Sequence, residues 1–202
     1  MSEVLGRLII QRKTGQEPFH ANGQALGFNL VSFWQWATSD LVSNATRGHL
    51  AEYIVACAVG LTAADMREEW ASFDIRTSSD IKIEVKSAAY IQSWHQTKLS
   101  PIMFVVPKTL AWDAATNTYA REAQRQADVY VFALLAHTDK STIDPLNITQ
   151  WQFYVLPTAT LNERTRSQQS ITLKSLEGLC GGAVDYAELR TAIEKAAAHS
   201  PA

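Results

Sequence analysis

Three charged residues, Asp74, Glu84 and Lys86, stand at a spacing that could do metal-assisted chemistry on phosphate esters. Two carboxylates that meet across a hairpin offer the hard oxygen ligands that Mg²⁺ prefers, and the ion keeps several of its waters. A bound metal ion can lower the pKa of such a water and stabilise the charge that develops on a phosphate. The Lys86 ammonium, two residues beyond Glu84, could orient that water or hold a phosphate oxygen.

The sequence around these residues predicts a β-hairpin. Two short β-rich runs, 73–75 and 81–85, enclose a polar segment at 76–80 that is typical of a turn. Because side chains alternate between the two faces of a strand, the apolar residues of the second run should face the core. Its charged residues should then share the opposite face: Asp80, Lys82, Glu84 and Lys86.

A Glu-x-Lys tripeptide is weak evidence by itself, because about one is expected by chance in a chain of this length. A row of Lys82, Glu84 and Lys86 is also typical of a solvated strand face with weak ion pairs. Asp80 and Lys82 form a second Asp-x-Lys on the same face, so the register has a rival. We prefer Glu84 and Lys86 because they lie within the apolar alternation and leave room for a complete turn after Asp74.

Glu52 lies in a second element that could contribute to the same site. The run 50–61 is apolar almost all round, which predicts a largely buried helix, and Glu52 is its only charged residue. An unpaired buried charge is costly, so Glu52 should meet a cation, a metal ion or a hydrogen-bond donor, or lie where the helix reaches water. Alternatively, Glu52 occupies the first helical turn, where the helix dipole favours an acid. Asn44 or Thr46 could begin the helix.

The order of these segments resembles the PD-(D/E)xK nuclease superfamily, which has the restriction-endonuclease-like fold. The resemblance covers about residues 44 to 92 and rests on a helix with Gly48-His-Leu-Ala-Glu52, then Phe73-Asp-Ile75, then Ile83-Glu-Val-Lys-Ser-Ala88. Phe73 stands where the family pattern has proline. Gln92 falls near the place of a glutamine-containing motif in some members, but a surface amide explains it better, so Gln92 and Asp80 are weak candidates.

The resemblance implies catalytic roles for four residues, with Asp74 and Glu84 as metal ligands, Lys86 assisting the water or phosphate, and Glu52 supporting the site. It implies a nuclease that hydrolyses double-stranded DNA with Mg²⁺, for which Mn²⁺ could substitute. It also implies a role in restriction or defence. Two alternatives stay open on the same fold. One is a noncatalytic nucleic-acid-binding or assembly module in which Glu84 and Lys86 pair and no metal binds. The other is a structure-specific nuclease for junctions or RNA.

The length of 202 residues and the 47% hydrophobic content are sufficient for one domain with a sizeable core. We expect an α/β fold with a mixed central β-sheet flanked by helices and a core at about 44–160. The segments 128–135 and 151–156 are rich in β-branched and aromatic residues and predict strands. The segment 185–198 predicts a C-terminal helix packed on the sheet.

An aromatic-rich N-terminal segment precedes this core. The run 28–36 could form a helix, and Phe33, Trp34 and Trp36 are expected to pack beneath the sheet, since aromatic residues most often serve as core. A recognition surface that uses these rings is the alternative. A homodimer would suit an enzyme that cuts both strands, because this requires two sites.

The net charge of −2 and a pI near 6.2 argue against a protein that coats nucleic acid nonspecifically. Local lysine clusters could still bind phosphate around the proposed site: Lys82, Lys86, Lys98 and Lys108. No segment is apolar for long enough to cross a membrane, and residues 1–7 lack the features of a secretory signal, so we expect a cytoplasmic protein. Cys57 and Cys180 show no spacing for zinc.

Overall fold

A computed structural model describes residues 6, 8–62, 65–113 and 115–199. Residues 1–5 and 7, where a secretory signal would begin, lie outside this described part. The elements in chain order are β1 (Pro18–Ala21), β2 (Gln24–Asn29), α1 (Leu30–Thr38), α2 (Asn44–Ala58), β3 (Ile75–Arg76), β4 (Lys82–Ala89), β5 (Met103–Val105), β6 (Trp112–Asp113), β7 (Thr118–Tyr119), β8 (Val129–Leu135), β9 (Trp151–Pro157), α3 (Thr158–Glu163), β10 (Ser170–Thr172), α4 (Leu173–Cys180) and α5 (Tyr186–Ala197).

A four-stranded sheet with the order β3-β4-β8-β9 forms the centre of the fold. Strand β8 is parallel to β4, whereas β3 pairs with β4 and β9 pairs with β8 in antiparallel orientation. All seven residues of β8 are buried, as expected for a central strand that is apolar on both faces. The predicted mixed sheet flanked by helices is therefore confirmed.

Two hydrophobic clusters cover the two faces of this sheet. On one face, α2 packs against the alternate residues of β4 that include Ile83 and Val85, and α5 packs against β9 and β8. On the other face, Phe132 of β8 packs with Phe104 of β5 and Leu176 of α4. Burying one such side chain contributes about 1.5–3 kcal/mol to stability. Because Ile83 and Val85 face the helices, the charged residues of β4 face the opposite way.

Buried Arg47 joins the first turns of α2 to the end of β4. Its guanidinium donates hydrogen bonds to Ser87 Oγ at 3.1 Å, to the Val42 carbonyl at 2.9 Å and to Asn44 Oδ1 at 2.8 Å. Burial lowers the pKa of Arg47. These neutral acceptors replace the water that the cation loses, and they fix the helix that carries Glu52 against the strand that carries Glu84 and Lys86.

Gln92 corrects one expectation, because it is buried rather than a surface amide. Its Nε2 donates to the Ala89 carbonyl at 3.0 Å and to Ser100 Oγ at 3.3 Å, while its Oε1 accepts from Arg47 at 3.5 Å. The amide thus stabilises the chain as it leaves β4. A buried amide needs all of these partners, and one of them, Arg47, comes from a segment that is distant in sequence.

The N-terminal arm, defined here as residues 14–38 with β1, β2 and α1, departs from expectation. The prediction that its aromatic residues pack beneath the sheet is wrong, since β1, β2 and α1 contain no buried residue. The large side chains that the arm exposes are Phe19, Leu26, Phe28, Phe33, Trp34 and Trp36. The arm therefore presents an apolar surface to its surroundings.

In the part of the chain that the structure describes, every helix is too short or too polar to cross a membrane.

Candidate active site

The predicted hairpin is present, with a shorter first strand than the sequence indicates. Strands β3 and β4 pair with Ile75 opposite Ile83. The pairing extends to Asp74, whose backbone N–H donates to the Ile83 carbonyl at 3.0 Å. Asp74 therefore lies directly beside β4, next to the part of the strand that carries Glu84 and Lys86.

Asp74 is held in a setting that disfavours its charge. Its Oδ2 accepts a hydrogen bond from the Val85 N–H at 2.7 Å, which fixes the carboxyl group beside β4. Burial and the nearby negative charge of Glu84 raise the pKa of Asp74 from 3.8 to about 7, against the opposing effect of the Val85 N–H. A carboxylate with this proton affinity would be stabilised by a cation.

Glu84 and Lys86 lie on the same face of β4, as the alternation predicts. The Lys86 Nζ donates to Glu84 Oε1 at 2.5 Å, and both side chains are partly exposed. Asp74 and Glu84 line the same cavity, whose volume is about 460 Å³. The two proposed metal ligands and the lysine are thus brought together by the hairpin.

Glu52 lies near Asp74, in a cavity that does not include Glu84. Because α2 begins at Asn44, Glu52 is in the third helical turn, so the first-turn interpretation is wrong. Its carboxylate forms an ion pair with Arg67, which confirms that this acid meets a cation. Its negative charge also contributes to the raised pKa of Asp74. Glu52, Arg67 and Asp74 line a second cavity of about 470 Å³.

The rival Asp-x-Lys motif does not join the site. Asp80 lies in the turn of the hairpin with a positive φ of 66°. It is exposed and forms an ion pair with exposed Arg76 across the turn. The structure thus places Asp80 in the turn of the hairpin and leaves Glu84 as the acid beside Asp74.

Two residues near the site carry no sequence motif. Arg67 lies between α2 and β3 in the chain, where no sequence pattern links it to Glu52. Tyr130 of β8 stands directly beside Glu84 in the parallel register and is buried. Burial, and then the charge of Glu84, raise the pKa of Tyr130. The sequence indicated Tyr130 only through its hydroxyl group, which stands within an otherwise apolar predicted strand.

The metal-binding capacity of the site rests on two carboxylates. Among the described residues, no group of three or more His, Cys, Asp or Glu side chains is arranged to hold a metal ion. Asp74 and Glu84 supply hard oxygen donors with excess negative charge, which matches the preference of Mg²⁺ for one or two carboxylates together with waters and substrate phosphate. The residues present therefore fit such an ion.

Comparison with protein families adds independent information to this geometry. A family model described as Bacteriophage T4 endonuclease IV matches residues 30–175. The chain belongs to this family. The endonuclease IV match contains α2, the hairpin and the central sheet, so the candidate site lies inside it. Membership identifies the chain as a nuclease, the class that the hairpin resemblance implies. No curated protein matches the chain.

Proposed function

We propose that this chain is a Mg²⁺-dependent endonuclease that hydrolyses phosphodiester bonds in DNA with a PD-(D/E)xK-type site. The observation that supports this most strongly is the position of Asp74. An ion pair between Glu84 and Lys86 would be complete without a third charged group, yet Asp74 lies partly buried beside it with its pKa raised to about 7. Such an arrangement destabilises the metal-free fold and is typical of a functional site.

Asp74 and Glu84 would hold the ion, and Mn²⁺ could replace Mg²⁺. A bound ion would lower the pKa of a coordinated water and stabilise the charge on the phosphate. Cation binding also removes the repulsion between the two carboxylates, which is the second cause of the raised Asp74 pKa.

The remaining residues serve orientation and charge. Lys86 bonds to Glu84 and could hold a phosphate oxygen or orient the attacking water from that position. The Glu52 carboxylate holds Arg67 near Asp74, so the site contains a guanidinium as well as the Lys86 ammonium. In the restriction or defence role that the resemblance implies, these residues would act on foreign DNA.

The first prediction concerns the metal. Purified protein should cleave DNA in Mg²⁺ or Mn²⁺ and show no cleavage in EDTA, because the bound ion would activate the attacking water and stabilise the charge on the phosphate. The assay uses duplex DNA, single-stranded DNA, a branched junction and RNA of one sequence. Cleavage that persists in EDTA would contradict the proposal. Binding without cleavage in either metal would favour the noncatalytic module, and cleavage confined to junctions or RNA would favour the other alternative.

A matched pair of variants ties this activity to the hairpin. Glu84→Gln should lose cleavage because it removes a negative oxygen donor from the cavity. Asp80→Asn should keep it, because this acid on the same hairpin is exposed and paired with Arg76. Equal loss in both variants would locate the effect in hairpin folding, which circular dichroism would reveal.

We also propose that a second copy of this chain docks on the N-terminal arm. At roughly 200 Å² for each aromatic side chain, the exposed fractions of its five rings leave about 500 Å² of apolar surface. A standard interface takes about 800 Å² from each partner, so the rings supply more than half of it.

Glu17 is the only Asp, Glu, Lys or Arg in the arm, so phosphate is a poor occupant. Strands β1 and β2 form a two-stranded sheet, whose edges could pair about a two-fold axis.

The second prediction tests this dimer. Wild-type protein should sediment as a dimer at micromolar concentration, and Phe28→Ser with Trp36→Ser should sediment as a monomer, because the substitutions remove apolar area from the arm. Trp94→Ser is the matched control, since Trp94 is an exposed tryptophan outside the arm. A monomeric wild type, or equal dissociation in the control, would refute the assignment.

A further inference from the structure

The cavity that contains Asp74 and Glu84 has walls that the proposed hydrolysis does not require. We call it the aromatic cavity and define it by Trp70, Phe73, Trp112 and Tyr119 together with the two carboxylates. Its volume of about 460 Å³ lies in the range of about 300–1,000 Å³ that is usual for small-molecule sites. Trp70 and Tyr119 each expose 68% of their surface, so these rings are not core.

The rings are held in a fixed arrangement. Trp112 and Tyr119 are directly opposite each other in the short β6–β7 hairpin. Trp70 meets Trp112 at a centroid distance of 5.5 Å and an interplanar angle of 65°. The edge-to-face contact leaves ring faces available for a planar ligand, and stacking of a nucleobase on an aromatic ring is worth about 1–3 kcal/mol.

Asn117 adds a polar group to this wall. Its Oδ1 accepts the Trp112 Nε1–H at 3.2 Å. Because an indole N–H can only donate, the atom that accepts it must be the amide oxygen, and the Asn117 NH₂ is thereby oriented as a donor. Such a donor could meet a carbonyl oxygen or ring nitrogen at the edge of a base.

Without a metal ion at Asp74 and Glu84, the charges of the lining disfavour a phosphate in the depth of the cavity. Glu69, Asp74 and Glu84 line it, and no Lys or Arg does so among the residues that the structure describes. An anion would be repelled there, whereas a neutral base is not. The acids could accept hydrogen bonds from an exocyclic amine of that base.

We infer that the aromatic cavity holds one nucleobase, unstacked from its neighbours, beside the phosphodiester that the enzyme cleaves. The inference rests on the proposed function, because that function places the phosphate at Asp74 and Glu84. A base in a duplex is stacked and paired, so the occupant comes from an unpaired strand or is flipped out of a helix, and flipping costs a few kcal/mol.

The test measures the energetic coupling between one base and one ring. Fluorescence anisotropy in EDTA gives the affinity for a labelled single-stranded oligonucleotide, and for copies with one abasic site placed at each position in turn. At one position, loss of the base should weaken binding by wild-type protein about 5- to 150-fold, which corresponds to the stacking energy of about 1–3 kcal/mol. Trp112→Ala should bind the intact strand with that weaker affinity and show little further loss with the abasic strand.

Further variants separate stacking from misfolding. Tyr119→Ala changes an exposed ring and should show the same coupling, whereas Trp94→Ala, outside the cavity, should keep the full abasic effect. Equal abasic losses in wild-type, Trp112→Ala and Tyr119→Ala proteins would overturn the inference. Because binding is measured without metal, this outcome is independent of whether the protein cleaves DNA.

The source of the base follows from the same measurement on two other probes. A matched duplex that shows the coupling would identify a flipped base. Coupling confined to the single strand and to a duplex with a mismatch at that position would identify an unpaired base. Absence of coupling in all three probes would refute the site.

Discussion

Asp74→Asn should remove cleavage and stabilise the metal-free protein at the same time. Cleavage should fall at least about 10³-fold, because a neutral amide loses several kcal/mol of metal-dependent stabilisation of the transition state. The free energy of unfolding at pH 8 should rise by about 1–3 kcal/mol, since the variant no longer places a charge beside Glu84 in a partly buried position. The amide oxygen of the substituted side chain can still accept the Val85 N–H, so the hairpin is retained.

The pH dependence of stability has a defined sign. Asp74 has a pKa of about 7 in the folded protein against an ordinary value of 3.8, so the folded state binds the proton more tightly. Its contribution to stability is fully present below pH 3.8 and is lost as the pH rises through about 7. Urea unfolding of metal-free wild type should therefore show stability falling across this window relative to Asp74→Asn.

Asp80→Asn supplies the control, because Asp80 is an exposed carboxylate on the same hairpin. It should change neither cleavage nor the difference in stability between pH 4 and pH 8 by a measurable amount. If Asp74→Asn instead destabilised the protein at pH 8 and left cleavage intact, Asp74 would be a structural acid and the proposed site would be wrong.

The sequence predicted the hairpin faces because the alternation of a strand has a period of two. That period alone placed Ile83 and Val85 toward the core and Glu84 with Lys86 on the opposite face. The single charge in an apolar helix predicted that Glu52 needs a partner. These were local patterns, and they were sufficient to place the hairpin after the helix that carries Glu52 and to predict β8, β9 and α5.

Other features depended on contacts between distant segments. Arg67 pairs with Glu52 across a separation of 15 residues in the sequence. The aromatic cavity forms only where Trp112 of the β6–β7 hairpin contacts Trp70. Apolar composition also could not decide that Trp36 would be 82% exposed, because a core helix and an exposed docking helix use the same residue types.

The ion pair between Glu84 and Lys86 fits two hypotheses. The noncatalytic module predicts this pair, and a nuclease without its metal could also form it. The raised pKa of Asp74 favours the proposed nuclease site, since a third charge with a raised proton affinity adds nothing to a structural pair. In the proposed site, a bound metal ion would neutralise Glu84 in place of Lys86. The function of Lys86 therefore depends on whether its ammonium then acts on the substrate.

Lys86→Ala should lower kcat about 10²- to 10³-fold, the range observed when one preorganised donor to a reacting oxyanion is removed. KM should change little, because a contact made mainly in the transition state affects kcat more than substrate binding. Lys82→Ala is the matched control, since Lys82 is a partly exposed lysine on the same strand. It should keep the wild-type kcat.

Steady-state kinetics on one DNA substrate, with circular dichroism of each variant, distinguishes the two roles of Lys86. A catalytic lysine predicts a loss of kcat with unchanged folding and with measurable Mg²⁺ binding in Lys86→Ala. A lysine that only neutralises Glu84 predicts a modest loss of stability and a kcat equal to that of Lys82→Ala, since a partly exposed ion pair contributes about 1 kcal/mol or less. In the second case, Arg67 would be the remaining cation beside Asp74 and the next residue to substitute.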